Sequence, residues 1–230
     1  MPGYGFYIDS YYLLLIVPAL IICAIAQIRV SSTFSKYSSI ANRRGLTGAD
    51  VARQLLDRNG LRDVAVEAVR GSLTDHYDPR NRVVRLSDAV YGSTSVAAIG
   101  VAAHETGHAM QHAQAYVPLK FRTAIFPVVR FSSAIALPLA VIGLIVGLAP
   151  LTDFGILLFS LIVLFQLVTL PVEFNASARA LVQLDDMGIL SAEELMPAKK
   201  VLRAAALTYV ASALMAIANL LRLLLLRNRR

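Results

Sequence analysis

Long charge-free runs alternate with mixed segments along this chain, and the runs are the first feature that predicts structure. Residues 10–28 carry no charge, and about 20 apolar residues in a helix are enough to cross the hydrocarbon core of a bilayer. Two further runs, 131–152 and 154–172, are of similar length, with 149–153 predicted as the turn between them. The last run, 204–221, precedes a basic tail. We therefore expect three or four transmembrane or membrane-associated helices.

The segment between the first two apolar runs has the hydrophobic patterns of short helices and strands, which predict a small folded domain. Residues 47–58 place apolar positions at helical spacing behind a capping threonine. Residues 64–69 alternate as a strand does, and residues 82–86 are predicted as a second strand after a turn at 78–81. A longer helix is predicted over 95–114. The resulting division of the chain is an N-terminal transmembrane helix (1–28), a soluble part (29–130), a transmembrane hairpin (131–172), a helical region with a new helix start near Ser191 (173–203), and a C-terminal membrane-associated helix with a basic tail (204–230).

The composition strengthens the membrane interpretation. Hydrophobic residues make up 57% of the chain and charged residues only 16%, which departs from ordinary soluble proteins. The net charge of +7 does not indicate nucleic-acid binding, because the basic residues lie mostly around the ends of apolar runs. Basic residues follow the first run while Asp9 precedes it, so we expect residues 29–130 on the cytoplasmic side of the cell membrane. The single cysteine, Cys23, excludes an intramolecular disulfide.

One motif in the soluble part carries specific chemistry. His104, Glu105 and His108 form the pattern H-E-x-x-H, in which two histidines four residues apart share one face of a helix and reach one metal ion. Zinc held in this way ionises water near pH 7, and the glutamate accepts the proton during attack on a carbonyl. The pattern predicts a zinc hydrolase.

A catalytic zinc site takes three protein ligands and leaves one position open. Glu173 is the candidate for the third ligand, since a membrane hairpin returns it to the side of the histidine helix. We expect a helix break at Pro171, which places Glu173 in the first turn of a new helix. His112 shares the histidine face but lies too far along a straight helix to reach the same ion.

The chain resembles the YugP-like neutral zinc metallopeptidases, and is more distantly similar to HtpX and the CAAX prenyl proteases. The resemblance covers nearly the whole chain and is carried by the following stretches: 46–49 (LTGA), 59–61 (NGL), 73–79 (LTDHYDP), 102–111 (AAHETGHAMQ), 171–177 (PVEFNAS) and 205–211 (AALTYVA). It implies that His104, His108 and Glu173 bind zinc and that Glu105 is the general base. HtpX has an aspartate where this chain has Ser177.

The expected fold class is therefore mainly α and integral to the membrane, with a small α+β, zincin-like cytoplasmic part. The expected function is a zinc metalloendopeptidase that cleaves peptides or membrane proteins; the alternatives are a non-catalytic zinc-binding or chaperone-like membrane subunit and, ranked lower, an intramembrane protease.

His76 is a candidate for positioning substrate or stabilising the oxyanion; the alternative is that it has only a structural role in a turn. Roles for Arg179 and Tyr209 stay open, with an ion pair from Arg179 to Asp185 or Asp186 as the plainer interpretation.

Overall fold

The structure, a computed structural model, describes residues 9–229. Residues 1–8 of the predicted N-terminal helix and Arg230 of the predicted tail lie outside that range. The described residues form α1 (Val17–Ser38, after a π-helical turn Tyr12–Ile16), α2 (Gly48–Arg58), β1 (Ala65–Val69), β2 (His76–Asp78), β3 (Val83–Ser87), α3 (Asp88–Tyr91), α4 (Val96–Ala113), α5 (Val117–Val146), α6 (Ala149–Asp186) and α7 (Ala192–Asn228).

The chain divides into two compact units. One, here called the helical unit, comprises Met1–Gln27, Phe121–Thr169 and Thr208–Arg230; the other, the mixed unit, comprises Ile28–Lys120 and Leu170–Leu207. Four helices within the described range, α1 with its π-helical turn, α5, α6 and α7, are long and apolar enough to cross a membrane. The predicted fold class, a mainly α membrane protein with a small α+β part, is confirmed.

Small residues let the helices of the helical unit approach closely. A Cβ added at Gly155 would lie 2.4 Å from the backbone nitrogen of Ala140, and one at Gly143 would lie 2.5 Å from that of Thr152. Helices in lipid associate through such close backbone packing, because the hydrophobic effect does not distinguish a neighbouring helix from a lipid tail. Close van der Waals packing at these glycines therefore stabilises the hairpin of α5 and α6.

The mixed unit contains a three-stranded sheet in the order β1-β3-β2. β1 pairs with β3 in parallel, and β2 pairs with β3 in antiparallel fashion from the edge of the sheet. Buried side chains of α2, β3, α4 and the first turns of α7 form one apolar core, which includes Leu55, Leu86 and Ile99. The predicted strands 64–69 and 82–86 correspond to β1 and β3, whereas the three-residue β2 was not predicted.

Helix starts follow local side-chain chemistry, as the sequence predicts. Thr47 and Asp50 form a reciprocal capping box at the start of α2, and Ser95 accepts a hydrogen bond from the backbone of Ala98 at the start of α4. Ser191 and Glu194 exchange backbone and side-chain hydrogen bonds at the start of α7. These polar caps satisfy backbone N–H groups that have no partner inside the helix.

The predicted hairpin turn at 149–153 is wrong. The helices are separated by Gly147 and Leu148, and α6 already begins at Ala149. Gly147 has φ +76°, the left-handed conformation in which glycine ends a helix without steric cost. Pro150 falls in the first turn of α6, where its missing N–H leaves no intrahelical bond unmade.

The predicted helix break at Pro171 is also wrong, since α6 runs without interruption from Ala149 to Asp186. Val172, Ala176, Ala180 and Leu184 recur every four residues and are all fully buried. Their packing keeps the helix continuous past the proline, whose missing hydrogen bond is tolerated in membrane helices. α1 likewise continues to Ser38, ten residues past the predicted end at residue 28.

Candidate metal centre

Two imidazoles lie side by side on one face of α4. His104 and His108 are one helical turn apart, and their ring centroids are separated by 4.8 Å in an edge-to-face arrangement. Their side chains retain only 14% and 12% of their surface. The histidine pair of the motif is thus held in a nearly closed environment.

The carboxylate of Glu173 on α6 completes the cluster. Its Oε2 atom lies 3.2 Å from Nε2 of His104 and 3.5 Å from Nε2 of His108, and the side chain is 3% exposed. One potential ligand atom from each of the three residues lies within 4.8 Å of the other two. Three donors from two helices therefore converge on one point.

Hydrogen bonds at the far side of each ring fix how the imidazoles face the cluster. Nδ1 of His104 lies 3.0 Å from Oγ of Ser177, and Nδ1 of His108 lies 3.0 Å from Oε1 of Gln111. The amide oxygen of Gln111 only accepts, so Nδ1 of His108 donates to it. This bond orients Nε2 of His108 toward Glu173, as in most metal-binding histidines.

The neighbouring carboxylates also set the charge of His108. Burial by itself lowers the pKa of His108, but the hydrogen bond that its ring donates to Glu173 and the charges of Glu105 and Glu173 outweigh it and raise that pKa above its ordinary value. The site thus favours positive charge at the point where the three donors meet. The same negative charges would stabilise a divalent cation bound at that point.

The donor set fits zinc. Zinc in proteins prefers nitrogen and carboxylate ligands at about 2.0–2.1 Å in a tetrahedron, which places two ligand atoms roughly 3.3 Å apart. The nitrogen-to-oxygen separations of 3.2 and 3.5 Å between Glu173 and the two histidines bracket that value. Three ligands within the described residues leave one corner of the tetrahedron for water.

Glu105 stands beside the cluster without joining the donor group. It directly follows His104 in the helical turn that leads to His108, is 8% exposed, and its charge acts on the His108 ring. A carboxylate in this position is close enough to influence the chemistry of the site while the three donors hold the ion.

The two helices of the site meet at a glycine. A Cβ added at Gly107 would lie 2.6 Å from the backbone oxygen of Ala176 and 3.2 Å from its Cα. Gly107 lies between the ligand candidates on α4, and Ala176 follows Glu173 by one turn on α6. The close backbone contact therefore sets the distance between the histidines and the glutamate.

Comparison with known proteins agrees with this geometry. A family model described as "Putative neutral zinc metallopeptidase" matches residues 12–228. The chain belongs to this family. The chain is also similar to the "Putative membrane protease YugP" of Bacillus subtilis (strain 168), with 53% identity over 201 residues, covering 87% of this chain and 89% of that protein. No solved structure matches the chain.

The structure does not bring the remaining candidates of the sequence into the donor group. Nδ1 of His112 lies 2.8 Å from the hydroxyl of Tyr77, so this histidine is engaged with β2. His76 is on β2 with Nδ1 2.8 Å from the backbone oxygen of Thr74; since strand neighbours point to opposite faces, Tyr77 rather than His76 is on the face toward α4. The predicted catalytic role of His76 stays a prediction.

Arg179 has different partners from those expected. Its guanidinium donates to Oδ1 of Asn175 at 2.7 Å and to Oε1 of Gln114 at 2.6 Å, and it lies over the ring of Tyr116. These contacts replace the predicted ion pair with Asp185 or Asp186. Tyr209 belongs to α7 in the helical unit.

The sequence reasoning missed Gln111 as a partner of a ligand histidine. Gln111 closes the motif stretch 102–111, three residues after His108, and that spacing places both on one helix face. The i,i+3 position was the available signal. Ser177 was noted only as a departure from the aspartate of HtpX, yet its hydroxyl contacts His104.

Proposed function

We propose that the chain is a membrane-bound zinc metalloendopeptidase, with zinc held by His104, His108 and Glu173 and with Glu105 as the general base. The observation that carries the proposal is the convergence of three ligand atoms within 4.8 Å on the H-E-x-x-H helix of a chain from a zinc metallopeptidase family. Three ligands suit a catalytic site, because a structural zinc site is normally closed by four.

A zinc ion held there acts as a Lewis acid that polarises a carbonyl and lets water ionise near pH 7. Glu105 accepts a proton from the water that attacks the peptide carbonyl, then delivers that proton to the amine nitrogen as the C–N bond breaks. Its low exposure keeps bulk water from competing for the carboxylate. Glu173 contributes a negative charge that offsets the charge of the ion and holds it on α6.

The sheet offers a way to hold the substrate. β2 lies at the edge of the sheet, and an extended peptide adds to such an edge through backbone hydrogen bonds. The hydroxyl of Tyr77 lies 2.8 Å from Nδ1 of His112 on α4, which ties this edge to the helix of the motif. We therefore propose a peptide or membrane-protein segment as substrate, bound in an extended conformation along β2.

The test separates metal binding from chemistry. Purified protein with Glu105→Gln keeps the shape of the side chain but has no base, so we expect one zinc per chain and loss of at least about 10²-fold in peptide hydrolysis. Glu67→Gln, which alters an exposed acid on β1, is the matched control with wild-type zinc content and activity. Full activity of Glu105→Gln contradicts its role as base; zinc-loaded wild-type protein without hydrolytic activity supports the non-catalytic alternative.

We further propose that the metal centre faces the cytoplasm from the cell membrane. Arg29, Lys36 and Arg43 follow the first apolar run, where cytoplasmic segments carry their positive charge. In a Cys23→Ser background, Ser72→Cys on the exposed loop before β2 is expected to react with a membrane-impermeant maleimide only after permeabilisation. Ala149→Cys, at the start of α6, is expected to react in intact cells; the reverse pattern refutes this orientation.

A further inference from the structure

Gln111 occupies an unusual position for a polar side chain. It lies on α4, is fully buried with 0% of its surface exposed, and follows His108 by three residues. Burying an amide is costly unless each of its polar groups is bonded. The bonds that satisfy Gln111 therefore indicate what holds it there.

The amide of Gln111 is bonded at both of its ends. Its Oε1 accepts from Nδ1 of His108 at 3.0 Å, while its Nε2 donates to the backbone oxygen of Val172 at 2.8 Å and to Oδ1 of Asn175 at 3.0 Å. One acceptor and two donors match an amide and no other uncharged side chain of this size. Since Nε2 faces two oxygens, the orientation of the amide is fixed by its surroundings.

These bonds connect the two halves of the donor set. His108 is on α4, and Val172 on α6 directly precedes Glu173. Asn175 also accepts from the guanidinium of Arg179 at 2.7 Å, so a rotation of its amide would break a second bond. The position of α6 next to the histidine helix is thus set by the same side chain that orients the imidazole.

We propose that Gln111 is a positioning residue of the metal centre: it fixes the ring orientation and tautomer of His108 and docks the segment of α6 that carries Glu173. The inference rests on the proposed zinc site. Partners of metal-bound histidines contribute about 10- to 100-fold to metal affinity, and Gln111 acts on a histidine and on the helix of the carboxylate at once. Its bonds are to His108, Val172 and Asn175, so it acts on the site through these residues.

The test measures zinc affinity and metal environment in the full-length protein in detergent. Gln111→Met keeps the length and apolar volume of the side chain but makes none of the three bonds, so zinc affinity, from competition with a chromophoric chelator, is expected to fall at least tenfold. The cobalt-substituted protein is expected to show an altered visible absorption spectrum, because the ligand field at His108 changes. Neither readout requires hydrolytic activity.

Thr106→Val is the matched control. Thr106 is fully buried on the same helix, and its hydroxyl donates to the backbone oxygen of Ala103, so this variant also loses a buried polar bond. A merely structural role of Gln111 predicts that both variants lose thermal stability and keep the wild-type cobalt spectrum. Our inference predicts a changed spectrum and affinity in Gln111→Met alone.

A second variant covers the case in which Gln111→Met does not fold. Gln111→Glu retains an acceptor for His108 but loses both donors to α6, and it is expected to bind zinc more weakly than wild type. Wild-type affinity and spectrum in either folded variant overturn the inference, and they leave the zinc site itself intact. Failure of the wild-type protein to bind zinc overturns the proposed function together with it.

Discussion

The contact between Gly107 and Ala176 gives the most direct test of how the fold sets the metal site. In Gly107→Ala the new Cβ would lie 2.6 Å from the backbone oxygen of Ala176, whereas ordinary contacts begin at 3.4 Å. Relief requires the two helices to separate locally by about 0.8 Å. The atom in the way belongs to the backbone of α6, so no side-chain rotation removes the clash.

The size of this shift decides the expected outcome. Metal–ligand distances hold to about 0.2 Å, so a separation of 0.8 Å between the backbones that carry His108 and Glu173 exceeds what the site absorbs. Overpacking costs about 1–3 kcal/mol, and the better helix propensity of alanine returns only about 1 kcal/mol. We expect Gly107→Ala to bind zinc at least tenfold more weakly and to unfold at a lower temperature.

Gly100→Ala is the control on the same helix. Its Cβ would meet Cβ of Ala198 at 3.4 Å, so the change gains helix propensity without a clash. Zinc affinity by chelator competition and thermal unfolding in detergent, each with and without zinc, compare the two variants. If Gly107→Ala matches Gly100→Ala in both measurements, the close approach of α4 and α6 does not control the site.

Three further predictions follow from the charges, the sheet edge and the metal. Hydrogen bonds from Asn81 and Arg85 hold the pKa of Asp78 well below its ordinary 3.8, so Asp78→Asn should unfold at a lower temperature than wild type near pH 7. The difference should shrink as the pH falls below 3.8 and vanish only when the pH passes the lowered pKa of the folded protein. Tyr77→Phe, which releases β2 from His112, should raise KM for peptides about 2- to 10-fold with unchanged zinc content; an unchanged KM contradicts substrate binding along β2. Zinc at 100 times its Kd should stabilise the protein by about 2.7 kcal/mol, and a chelator should reverse that gain in a thermal melt.

Local chemistry allowed much of the fold to be predicted. The polar caps at Thr47, Ser95 and Ser191 mark helix starts in the sequence, and the structure has helices beginning at the residue after each. The strand over 64–69 was predicted from alternation, and the strand over 82–86 from its position after the turn-like residues 78–81. In each case the decisive interactions lie within a few residues of one another along the chain.

Tertiary packing decided the points that the sequence left undetermined. Pro171 favours a helix end by local rules, but the buried stripe from Val172 to Leu184 keeps α6 continuous. The hairpin turn depended on which residue adopts a left-handed conformation, and Gly147 rather than the Pro150 region provides it. At Pro171 packing therefore overrides the local preference for a helix end. At the hairpin turn the local preference of glycine for a left-handed conformation determines the boundary.

The structure brings together the three residues that the sequence proposes as metal ligands, but the sequence did not predict the side chains that hydrogen-bond to the two histidines. His104 and His108 are adjacent on one helix, so spacing alone identifies them, and Glu173 followed from the order of the apolar runs and from family resemblance. The bonds made by Gln111 and Ser177 join α4 to α6 over 60 or more positions of the chain. No periodicity in a single sequence encodes such a pair.

The ion pair between Asp9 and Arg222 joins the first and last segments of the helical unit. Oδ2 of Asp9 lies 3.0 Å from Nε of Arg222, and the two residues are 213 positions apart. Closing a loop of that length costs about 4.8 kcal/mol of chain entropy beyond a constant, whereas an ion pair at a protein surface contributes at most about 1 kcal/mol. The pair is therefore too weak to bring the first and last segments together by itself, and it depends on the packing of the helices that carry it.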